Sequence, residues 1–229
     1  MAQTTLPVLY EDNHLLAVAK PAGLPTMGTA ADRSSLVAWA RDYLKRKYHK
    51  PGNVYVGVVS RVDSLVTGVV VLARTSKAAA RLAEQFRSGT VRKTYWALVE
   101  GTPEPAAGTC LDWLRKDERQ QRMQVVRPHA PGAKEAQLEY RTLRRLGRTT
   151  LIEVSLATGR KHQIRLQLAH RGHPIVGDRK YGATTPFAAG IGLHSRELEL
   201  LHPVGQKPLR LVAPLPDTWR DHGVRDAPP

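Results

Sequence analysis

The residue of this sequence with the clearest chemical potential is Asp63. It is the only carboxylate between Asp42 and Glu84, and it follows Arg61 by two positions in a chain whose formal net charge is +15. A lone acid beside an arginine in a strongly basic protein indicates a carboxylate whose charge is used. The simpler alternative is that Asp63 caps a turn through its own backbone and pairs with Arg61. Taken alone, the segment nominates a site without defining its reaction.

The elements on either side of Asp63 should fix its position. The flanking runs Val54–Val59 and Val69–Leu72 are short and rich in β-branched residues, which predicts two buried strands. Asp63 would then lie on the connection between two strands. Reactive groups are common on such connections, because the strands fix them while the loop leaves them accessible.

Length and composition limit the classes of protein to which the chain can belong. We expect its 229 residues to form one domain, spanning residues 1–229. Lys and Arg total 35 against 20 acidic residues, and 41% of the residues are hydrophobic. A folded protein with this excess of positive charge most often binds polyanions, chiefly nucleic acid.

Other features of the sequence bear on where the protein works. No apolar run approaches the ~20 residues of a membrane span, and no basic amphipathic helix is evident, so we expect no membrane association. Residues 1–7 lack the basic and apolar regions of a signal peptide. Cys110 is the only cysteine, which excludes an intramolecular disulfide and a thiolate metal cage. We therefore expect the protein in the cytoplasm.

The remaining pattern predicts more strands than helices. The further predicted strands are Leu15–Ala19, Arg92–Glu100, Gln137–Leu143, Thr150–Leu156, Leu198–Leu201 and Leu209–Val212. Helices are predicted after Ser34–Ser35 and after Thr75–Ser76, the second ending at Gly89, whereas His162–His170 fits a short helix or a strand. Ala106–Lys134 is polar and is expected to be an exposed hairpin or long loop. Because strands and helices do not alternate regularly, we predict an α+β fold: a mixed, mostly antiparallel sheet flanked by a few helices and long loops.

Four segments, in a fixed order, resemble the RluA-type pseudouridine synthases. Tyr10–Gly23 is similar to the opening motif of that family, and Arg61–Gly68 is similar to its catalytic loop. Val91–Gly101 resembles its lysine-and-tyrosine strand, and the closing motif lies within Thr158–Gly182. The resemblance implies the fold of this family and a single catalytic domain.

The resemblance also implies a reaction, the conversion of uridine in RNA to its C-glycoside isomer pseudouridine. The bond from N1 to the ribose breaks, the base rotates, and C5 bonds to the same sugar carbon. The essential carboxylate of the family corresponds to Asp63, which would act either as a nucleophile or as the base that initiates glycal formation. No metal or cofactor is expected.

Roles for residues outside the loop follow from the same resemblance. Arg165 would favour the ionised form of the carboxylate. Tyr95 would stack on the target base and take part in the proton transfer at C5, although by itself it would be an ordinary strand aromatic. Arg61 would project to the same side as Asp63 and could instead hold an RNA phosphate. The residues expected to bind the substrate are Arg61, Lys93, Arg160, His162 and Ile164.

The catalytic loop departs from the commoner family form, which is His-Arg-Leu-Asp followed after two residues by Thr-Ser-Gly. This chain has Ser60, Val62, Val66 and Thr67 at the changed positions and keeps the aspartate, the arginine and the glycine. The altered loop makes a noncatalytic RNA-binding or chaperone protein on the same fold the alternative function. We prefer catalysis, because a pure binder has no need of a carboxylate in a site that receives a polyanion.

Recognition of RNA is expected to come from the basic surface of the catalytic domain. The opening motif begins at Tyr10, so we expect no separate N-terminal RNA-binding module. A uridine in structured RNA must be flipped out at a cost of roughly a few kcal/mol, which phosphate contacts offset. The residues expected to make these contacts are Lys45, Arg46, Lys47, Arg141, Arg144, Arg145 and Arg148. We expect a monomer that acts on large-subunit ribosomal RNA or transfer RNA.

Two other kinds of site are not supported by the sequence. His162, His170 and His173 are close along the chain, but the first two would lie more than two turns apart on a helix, and no thiolate or well-spaced carboxylate completes a metal site. Gly190–Gly192 lacks the ending and the strand-loop-helix setting of a phosphate-binding loop. We therefore expect no metal partner and no nucleotide cofactor.

Overall fold

The computed structural model describes residues 6–28 and 35–226. The chain divides into two compact units, which we call the first and the second unit. They comprise, respectively, Met1–Arg92 with Ser195–Pro216, and Lys93–His194 with Asp217–Pro229. The predicted capping residue Ser34 lies outside the described residues, as do residues 1–5 of the segment considered for a signal peptide.

Strands make up most of the regular structure. The strands are β1 (Val8–Glu11), β2 (Leu15–Lys20), β3 (Gly57–Val58), β4 (Thr67–Ala73), β5 (Arg92–Glu100), β6 (Ala107–Asp117), β7 (Arg122–Val126), β8 (Lys134–Leu146), β9 (Thr149–Leu156), β10 (Leu193–Leu201) and β11 (Pro208–Val212). The α-helices are α1 (Leu36–Lys47), α2 (Ser76–Ser88) and α3 (Gln163–His170), and short 3₁₀ segments occur at Arg179–Tyr181 and Asp217–His222.

The strands of the first unit lie in the order β1-β2-β4-β10, with β11 paired to β10 and β3 paired to β4. β4 is buried along its whole length, as its run of valines predicts for an inner strand. In the antiparallel pairing with β2, Val69 lies opposite Ala19 and Leu72 lies opposite Leu16. The segment with Asp63 therefore leads directly into a rigid strand.

Local signals begin and end the helices of the first unit. The side-chain oxygen of Ser35 accepts a hydrogen bond from the backbone N–H of Ala38 and caps α1. Thr75 caps α2 in the same way through the N–H of Ala78. Gly89 ends α2 in the left-handed conformation at φ 75°, where glycine has no steric penalty. Both predicted helices are confirmed.

One apolar cluster holds the helix α2 against the strands of the first unit. Its fully buried members include Leu15, Val71, Leu82, Leu198 and Leu211. Burying a leucine side chain of this kind contributes about 1.5 to 3 kcal/mol relative to leaving it exposed. The cluster fixes β2 and β4 relative to each other, and β4 directly follows the segment that holds Asp63.

The second unit contains the strand order β5-β9-β8-β6-β7. Each neighbouring pair is antiparallel, and the β8–β9 ladder has one irregularity between Thr142 and Arg144. The helix α3 packs through Leu166 against Leu114 and Ala136 of this sheet. The antiparallel arrangement and the small number of helices confirm the predicted fold class.

The hairpin alternative predicted for Ala106–Lys134 is confirmed, and this stretch is not a long irregular loop. It forms the long strand β6 and the strand β7, which pair as a hairpin. Cys110 and Leu114 are buried, whereas Leu111 is exposed and Asp112 and Trp113 are only partly buried. One solvated face gives the strand a polar composition that hides its period of two.

Two other predictions are settled by the structure. The run Val54–Val59 contributes only the two-residue strand β3, and Tyr55 is 48% exposed, so a buried strand over the whole run was wrong. The run His162–His170, which fitted a helix or a strand, forms the helix α3 and is followed by Gly172 at φ 82°. Among the described residues, no helix is long and apolar enough to cross a membrane.

A close backbone contact at the start of β4 gives a testable prediction. Gly68 has φ +112°, and a Cβ at this position would overlap the backbone nitrogen and carbonyl oxygen of Ser195. We expect Gly68→Ala to lower the free energy of unfolding by about 3 kcal/mol or more, through backbone strain and overpacking together. Urea denaturation measures the change.

The matched control is Gly52→Ala. A Cβ added at Gly52 would meet no atom within 4 Å, and the backbone there has no positive φ. We expect the free energy of unfolding of this variant to stay within about 0.5 kcal/mol of the wild-type value. Equal effects of the two substitutions would show that the contact between Gly68 and Ser195 is not a constraint on the fold.

Candidate active site

Asp63 lies in the first unit on the connection between β3 and β4, as predicted. Its side chain is partly buried, and its neighbour Val62 is buried. The carbonyl oxygen of Asp63 accepts a hydrogen bond from the N–H of Val66 at 3.1 Å, which closes a turn. This turn presents the carboxylate just before the chain enters the rigid strand β4.

A buried threonine fixes the residue before Asp63. The hydroxyl of Thr26 donates a hydrogen bond to the carbonyl oxygen of Val62 at 2.8 Å. The N–H of Val62 in turn donates to the same hydroxyl oxygen at 3.2 Å. Both backbone polar groups of Val62 are therefore satisfied by one side chain, and the backbone on the N-terminal side of Asp63 is held in place.

A buried lysine fixes the residue after Asp63. Lys20 is only 1% exposed, and its ammonium group donates to the carbonyl oxygens of Pro21, Leu24 and Ser64 at 2.9, 2.9 and 3.2 Å. The carbonyl oxygen of Ser64 also accepts a hydrogen bond from the N–H of Gly23. Lys20 thus ties the end of β2 to the loop that carries the candidate catalytic carboxylate.

The environment of Lys20 changes its proton affinity. Burial lowers the pKa of Lys20 from the ordinary 10.5 to about 8, and the negative charge of Asp63 opposes this shift. The unfolded chain binds this proton up to the ordinary pKa, whereas the folded chain releases it near pH 8. This group therefore adds to the stability of the fold as the pH rises from about 8 to about 10.5.

Arg61 is exposed on the same segment. Together with Ser60 it lines an open cleft of about 980 Å³, whose other wall includes Arg41 and Asp42 of α1. An exposed guanidinium at the rim of a cleft can receive a phosphate group, and this geometry is compatible with the predicted role in substrate binding.

Tyr95 and Lys93 lie on β5 in the second unit. Tyr95 is partly buried and sits opposite Val154 of β9 in the antiparallel ladder. Burial lowers the pKa of Lys93. A lysine that is half withdrawn from water holds its charge less strongly than a surface lysine, which sets Lys93 apart from the exposed cations of the chain.

Arg165 is buried in the helix α3 and forms a two-pronged ion pair with Asp178. Its Nε and a terminal nitrogen lie 2.6 and 2.8 Å from the two carboxylate oxygens. Both side chains are almost completely buried, at 4% and 1% exposure. The guanidinium also lies 5.1 Å from the centre of the Tyr181 ring. Paired hydrogen bonds and the ring fix the plane of the guanidinium.

His162 precedes α3 in the left-handed conformation, with φ 54°. Its Nδ1 lies 2.8 Å from the hydroxyl of Tyr181. The same hydroxyl oxygen accepts a hydrogen bond from the N–H of Met123 at 3.3 Å. Tyr181 therefore connects the residue before α3 with the β6–β7 hairpin.

The remaining predicted residues lie around the start of α3. The side-chain oxygen of Gln163 accepts hydrogen bonds from the hydroxyl of Thr158 and the N–H of Arg160. The guanidinium of Arg160 donates to the carbonyl oxygen of Glu135 at 2.8 Å. Ile164 is 4% exposed and belongs to the core. The turn before α3 is therefore rigid, with Arg160 at its exposed edge.

Two of the three histidines considered for a metal site have hydrogen-bond partners within the chain, and the third, His170, is exposed. His162 pairs with Tyr181, and Nδ1 of His173 lies 3.0 Å from the carbonyl oxygen of Glu100. Within residues 6–28 and 35–226, no group of three or more His, Cys, Asp or Glu side chains is placed to hold a metal ion.

The basic residues predicted to contact RNA are all exposed, but several of them also have partners within the chain. Lys47 pairs with Glu11 at 2.7 Å in the first unit. In the second unit, Arg141 pairs with Glu153 and Arg145 lies 3.8 Å from Glu104. The other members of the two clusters are Lys45 and Arg46 on α1, and Arg144 and Arg148 on or beside β8.

The predicted site residues are thus distributed over both units. Asp63 and Arg61 lie in the first unit, and the predicted residues of the second unit are Lys93, Tyr95, Arg160, His162, Ile164 and Arg165. The sequence did not predict that Lys20 holds the loop of Asp63 or that Asp178 pairs with Arg165. The sequence does contain a sign of the role of Lys20. This lysine ends the apolar strand β2, and a lysine at such a position is almost never buried without partners.

The proteins to which this chain is similar are described as RNA pseudouridine synthases. A family model described as RNA pseudouridylate synthase matches residues 14–170. An uncharacterized RNA pseudouridine synthase of Synechocystis is 36% identical over 220 residues, which cover 92% of this chain and 66% of that protein. Ribosomal large subunit pseudouridine synthase D of Xylella fastidiosa is 37% identical over 227 residues, covering 93% of this chain and 66% of that protein. The chain spans slightly less than two thirds of the length of these two relatives.

A solved structure shows the same fold. The structure titled Human RNA Pseudouridylate Synthase Domain Containing 4 matches with a TM-score of 0.80 and 26% sequence identity. The match covers 94% of this chain and 91% of that chain. The similarity therefore extends over nearly the whole of both chains.

The charge interaction between Lys20 and Asp63 gives a prediction for titration. We expect Lys20 to titrate with a pKa of about 8, as measured from its ¹³Cε chemical shift. In Asp63→Asn, the favourable charge is gone, so the pKa of Lys20 should fall below the wild-type value. Asp221→Asn, a change of an exposed carboxylate, is the control and should leave the pKa unchanged. A pKa near 10.5, or no response to Asp63→Asn, would contradict this description.

The ion pair of Arg165 gives a prediction for stability. Asp178→Asn removes the buried carboxylate that pairs with the Arg165 guanidinium, and we expect the free energy of unfolding to fall by about 3 kcal/mol or more. Urea denaturation measures this loss. Glu84→Gln removes the carboxylate of an exposed ion pair with Arg87 and should have no measurable effect. A similarly small effect of Asp178→Asn would show that the negative charge of Asp178 does not stabilise the fold.

Proposed function

Because the chain belongs to the RluA-type family of RNA pseudouridylate synthases, we propose that it converts specific uridines in structured RNA to pseudouridine. The observation that carries this proposal is the family match over residues 14–170, which includes the loop that holds Asp63. The resemblance stated from the sequence is thereby confirmed as membership of the family. The activity of this chain is the proposed step.

Asp63 is the proposed catalytic carboxylate. In one route it attacks the ribose carbon that bears the base, the N1 bond breaks, and the later bond from C5 displaces the carboxylate. In the other route it removes a ribose proton, and the base leaves to give a glycal; C5 of the rotated base then bonds to the same sugar carbon, and the proton returns to the ribose. In both routes C5 loses a proton and N1 gains one, so the product is an isomer of the substrate. No oxidant or cofactor is needed for this balance.

The hydrogen bonds around the loop support this role. Thr26 and Lys20 fix the backbone on either side of Asp63, so the carboxylate is positioned before the substrate binds. The positive charge of Lys20 beneath the loop balances the negative charge of Asp63 in a partly buried setting. A general RNA binder gains nothing from this arrangement, because the carboxylate repels phosphate.

Tyr95 and Arg165 are the other proposed catalytic residues. Tyr95 would stack on the flipped base and serve the proton transfer at C5. Arg165 would contribute positive charge to the reacting groups, with its orientation set by Asp178. Lys93, Arg160, His162, Ile164 and Arg61 remain the proposed substrate-binding residues.

The proposed substrate is large-subunit ribosomal RNA. The support for this choice is the relative from Xylella fastidiosa, which carries that substrate in its name and is 37% identical. Transfer RNA is the second class that the mapping experiment below distinguishes. We further propose that the two units form one catalytic domain, that it acts as a monomer in the cytoplasm, and that the exposed basic clusters hold the RNA backbone.

The decisive test is pseudouridine mapping of total RNA by carbodiimide-dependent primer-extension stops. The host carries a deletion of the gene and is complemented with wild type, Asp63→Asn or the control Asp221→Asn. We expect one or a few stops to disappear on deletion and to return with wild type and with Asp221→Asn. They should stay absent with Asp63→Asn, because loss of the catalytic carboxylate lowers the rate on the order of 10⁴-fold or more.

The outcomes distinguish the two functions considered from the sequence, catalysis and noncatalytic RNA binding. Restoration of every stop by Asp63→Asn would remove Asp63 from catalysis. No change on deletion, with the purified protein still binding RNA, would favour the noncatalytic RNA-binding or chaperone function. The position of the lost stops identifies the RNA as ribosomal or transfer RNA.

A further inference from the structure

A basic cleft in the second unit is not used by the proposed chemistry. It lies between the strand β7, the helix α3 and the 3₁₀ segment Arg179–Tyr181, with a volume of about 450 Å³. We call it the β7–α3 cleft. Its lining residues are Arg122, Met123, Gln124, Val125, Leu166, Ala169, His170, Arg179, Lys180, Tyr181 and Gly182.

The charge of this lining has one sign. Arg122, Arg179 and Lys180 are cationic, His170 is titratable, and no carboxylate belongs to the lining. The nearest acid in the hairpin is Asp117, the cross-strand partner of Arg122, whose pKa Arg122 helps to lower. That carboxylate also accepts hydrogen bonds from the N–H groups of Arg119 and Gln120, so it compensates only part of the positive charge.

The shape of the β7–α3 cleft is fixed without a ligand. The ammonium of Lys180 donates to the carbonyl oxygen of Gln121 at 2.9 Å. The N–H of Met123 donates to the hydroxyl of Tyr181 at 3.3 Å. These two hydrogen bonds join the β6–β7 hairpin to the 3₁₀ segment, so binding in the cleft requires little ordering of the backbone.

The floor of the cleft is apolar and well packed. Met123, Val125 and Tyr181 pack against the buried cluster that contains Leu114 and Leu166. A rim of cations above an apolar floor matches a sugar–phosphate unit, in which the charged phosphate and the less polar ribose lie side by side. A volume of about 450 Å³ lies within the range typical of ligand sites.

We propose that the β7–α3 cleft binds the phosphate backbone of the RNA substrate, as a docking site for a stretch of RNA outside the reacting uridine. The arginines Arg122 and Arg179 make paired hydrogen bonds to phosphate oxygens, and Lys180 adds a point charge. The identity of the ligand as RNA rests on the proposed function. These cations lie outside the two basic clusters predicted from the sequence.

Salt-dependent binding tests the proposal separately from catalysis. The probe is a fluorescent RNA stem-loop with uridines in its loop, and its affinity is measured by anisotropy over a range of KCl concentrations. The test variant is Arg122→Gln with Arg179→Gln. Its control is Arg87→Gln with Arg220→Gln, which removes the same charge at exposed positions outside the cleft. Circular dichroism checks that both variants are folded, and Arg179→Glu alone is the substitute if the double variant is not.

The expected result is a change in the salt dependence. The plot of log affinity against log salt should lose about 1 unit of slope for each phosphate contact removed, and affinity at physiological salt should fall about tenfold or more. The control variant should lose much less. Equal slopes for the test and control variants would overturn the proposal.

Two further measurements show which of the two proposals, RNA binding in the cleft or catalysis, a negative result contradicts. UMP at millimolar concentration should not displace the RNA, and if it removed the difference between the variants, the cleft would bind a free mononucleotide and the RNA proposal would be overturned. Once RNA mapping has identified the target uridine, its isomerisation is measured with the same protein samples. An inactive wild type with a normal slope difference would refute the proposed function and leave RNA binding in the cleft intact.

Discussion

The burial of one lysine ammonium is the interaction on which the candidate active site depends. Lys20 is withdrawn from water, and three backbone carbonyl oxygens take the place of its hydration shell. Two of these oxygens belong to the turn after β2, and the third belongs to Ser64. The cost of desolvating the charge is large unless every donor is satisfied, so the oxygens must stay in place. This requirement fixes the backbone of the loop around Asp63.

The second unit follows the same principle with a different cation. Arg165 is buried in α3, and its charge is matched by the carboxylate of Asp178 and by the ring of Tyr181. Tyr181 also reaches His162 and the N–H of Met123, so one aromatic side chain connects the start of α3, the guanidinium and the β6–β7 hairpin. In both units, a buried positive charge organises the loops near the proposed chemistry and gives them little freedom to rearrange.

The sequence predicted the features that depend on neighbouring residues and missed those that depend on distant ones. The helix between Thr75 and Gly89 was placed correctly because its cap and its end are local signals. For Ala106–Lys134 the sequence left a hairpin and a long loop open, because charge on one face concealed the alternation of β6. The resemblance supplied roles for the motif residues. It did not supply the carbonyl partners of Lys20 or the pairing of Arg165 with Asp178, because these contacts are set by folding across 44 and 13 residues of chain.

The low pKa of Lys20 has a kinetic consequence for the loop that it holds. Near pH 8 roughly half of the Lys20 side chains are neutral amines and are intrinsically nucleophilic, but the surrounding backbone shields them from reagents. An acylating reagent can reach this nitrogen only when the loop opens. The acylation rate of Lys20, compared with that of an exposed lysine, therefore reports how often the Asp63 segment opens in the otherwise folded protein. The side chain that holds the loop in place is thus also a probe of its local opening.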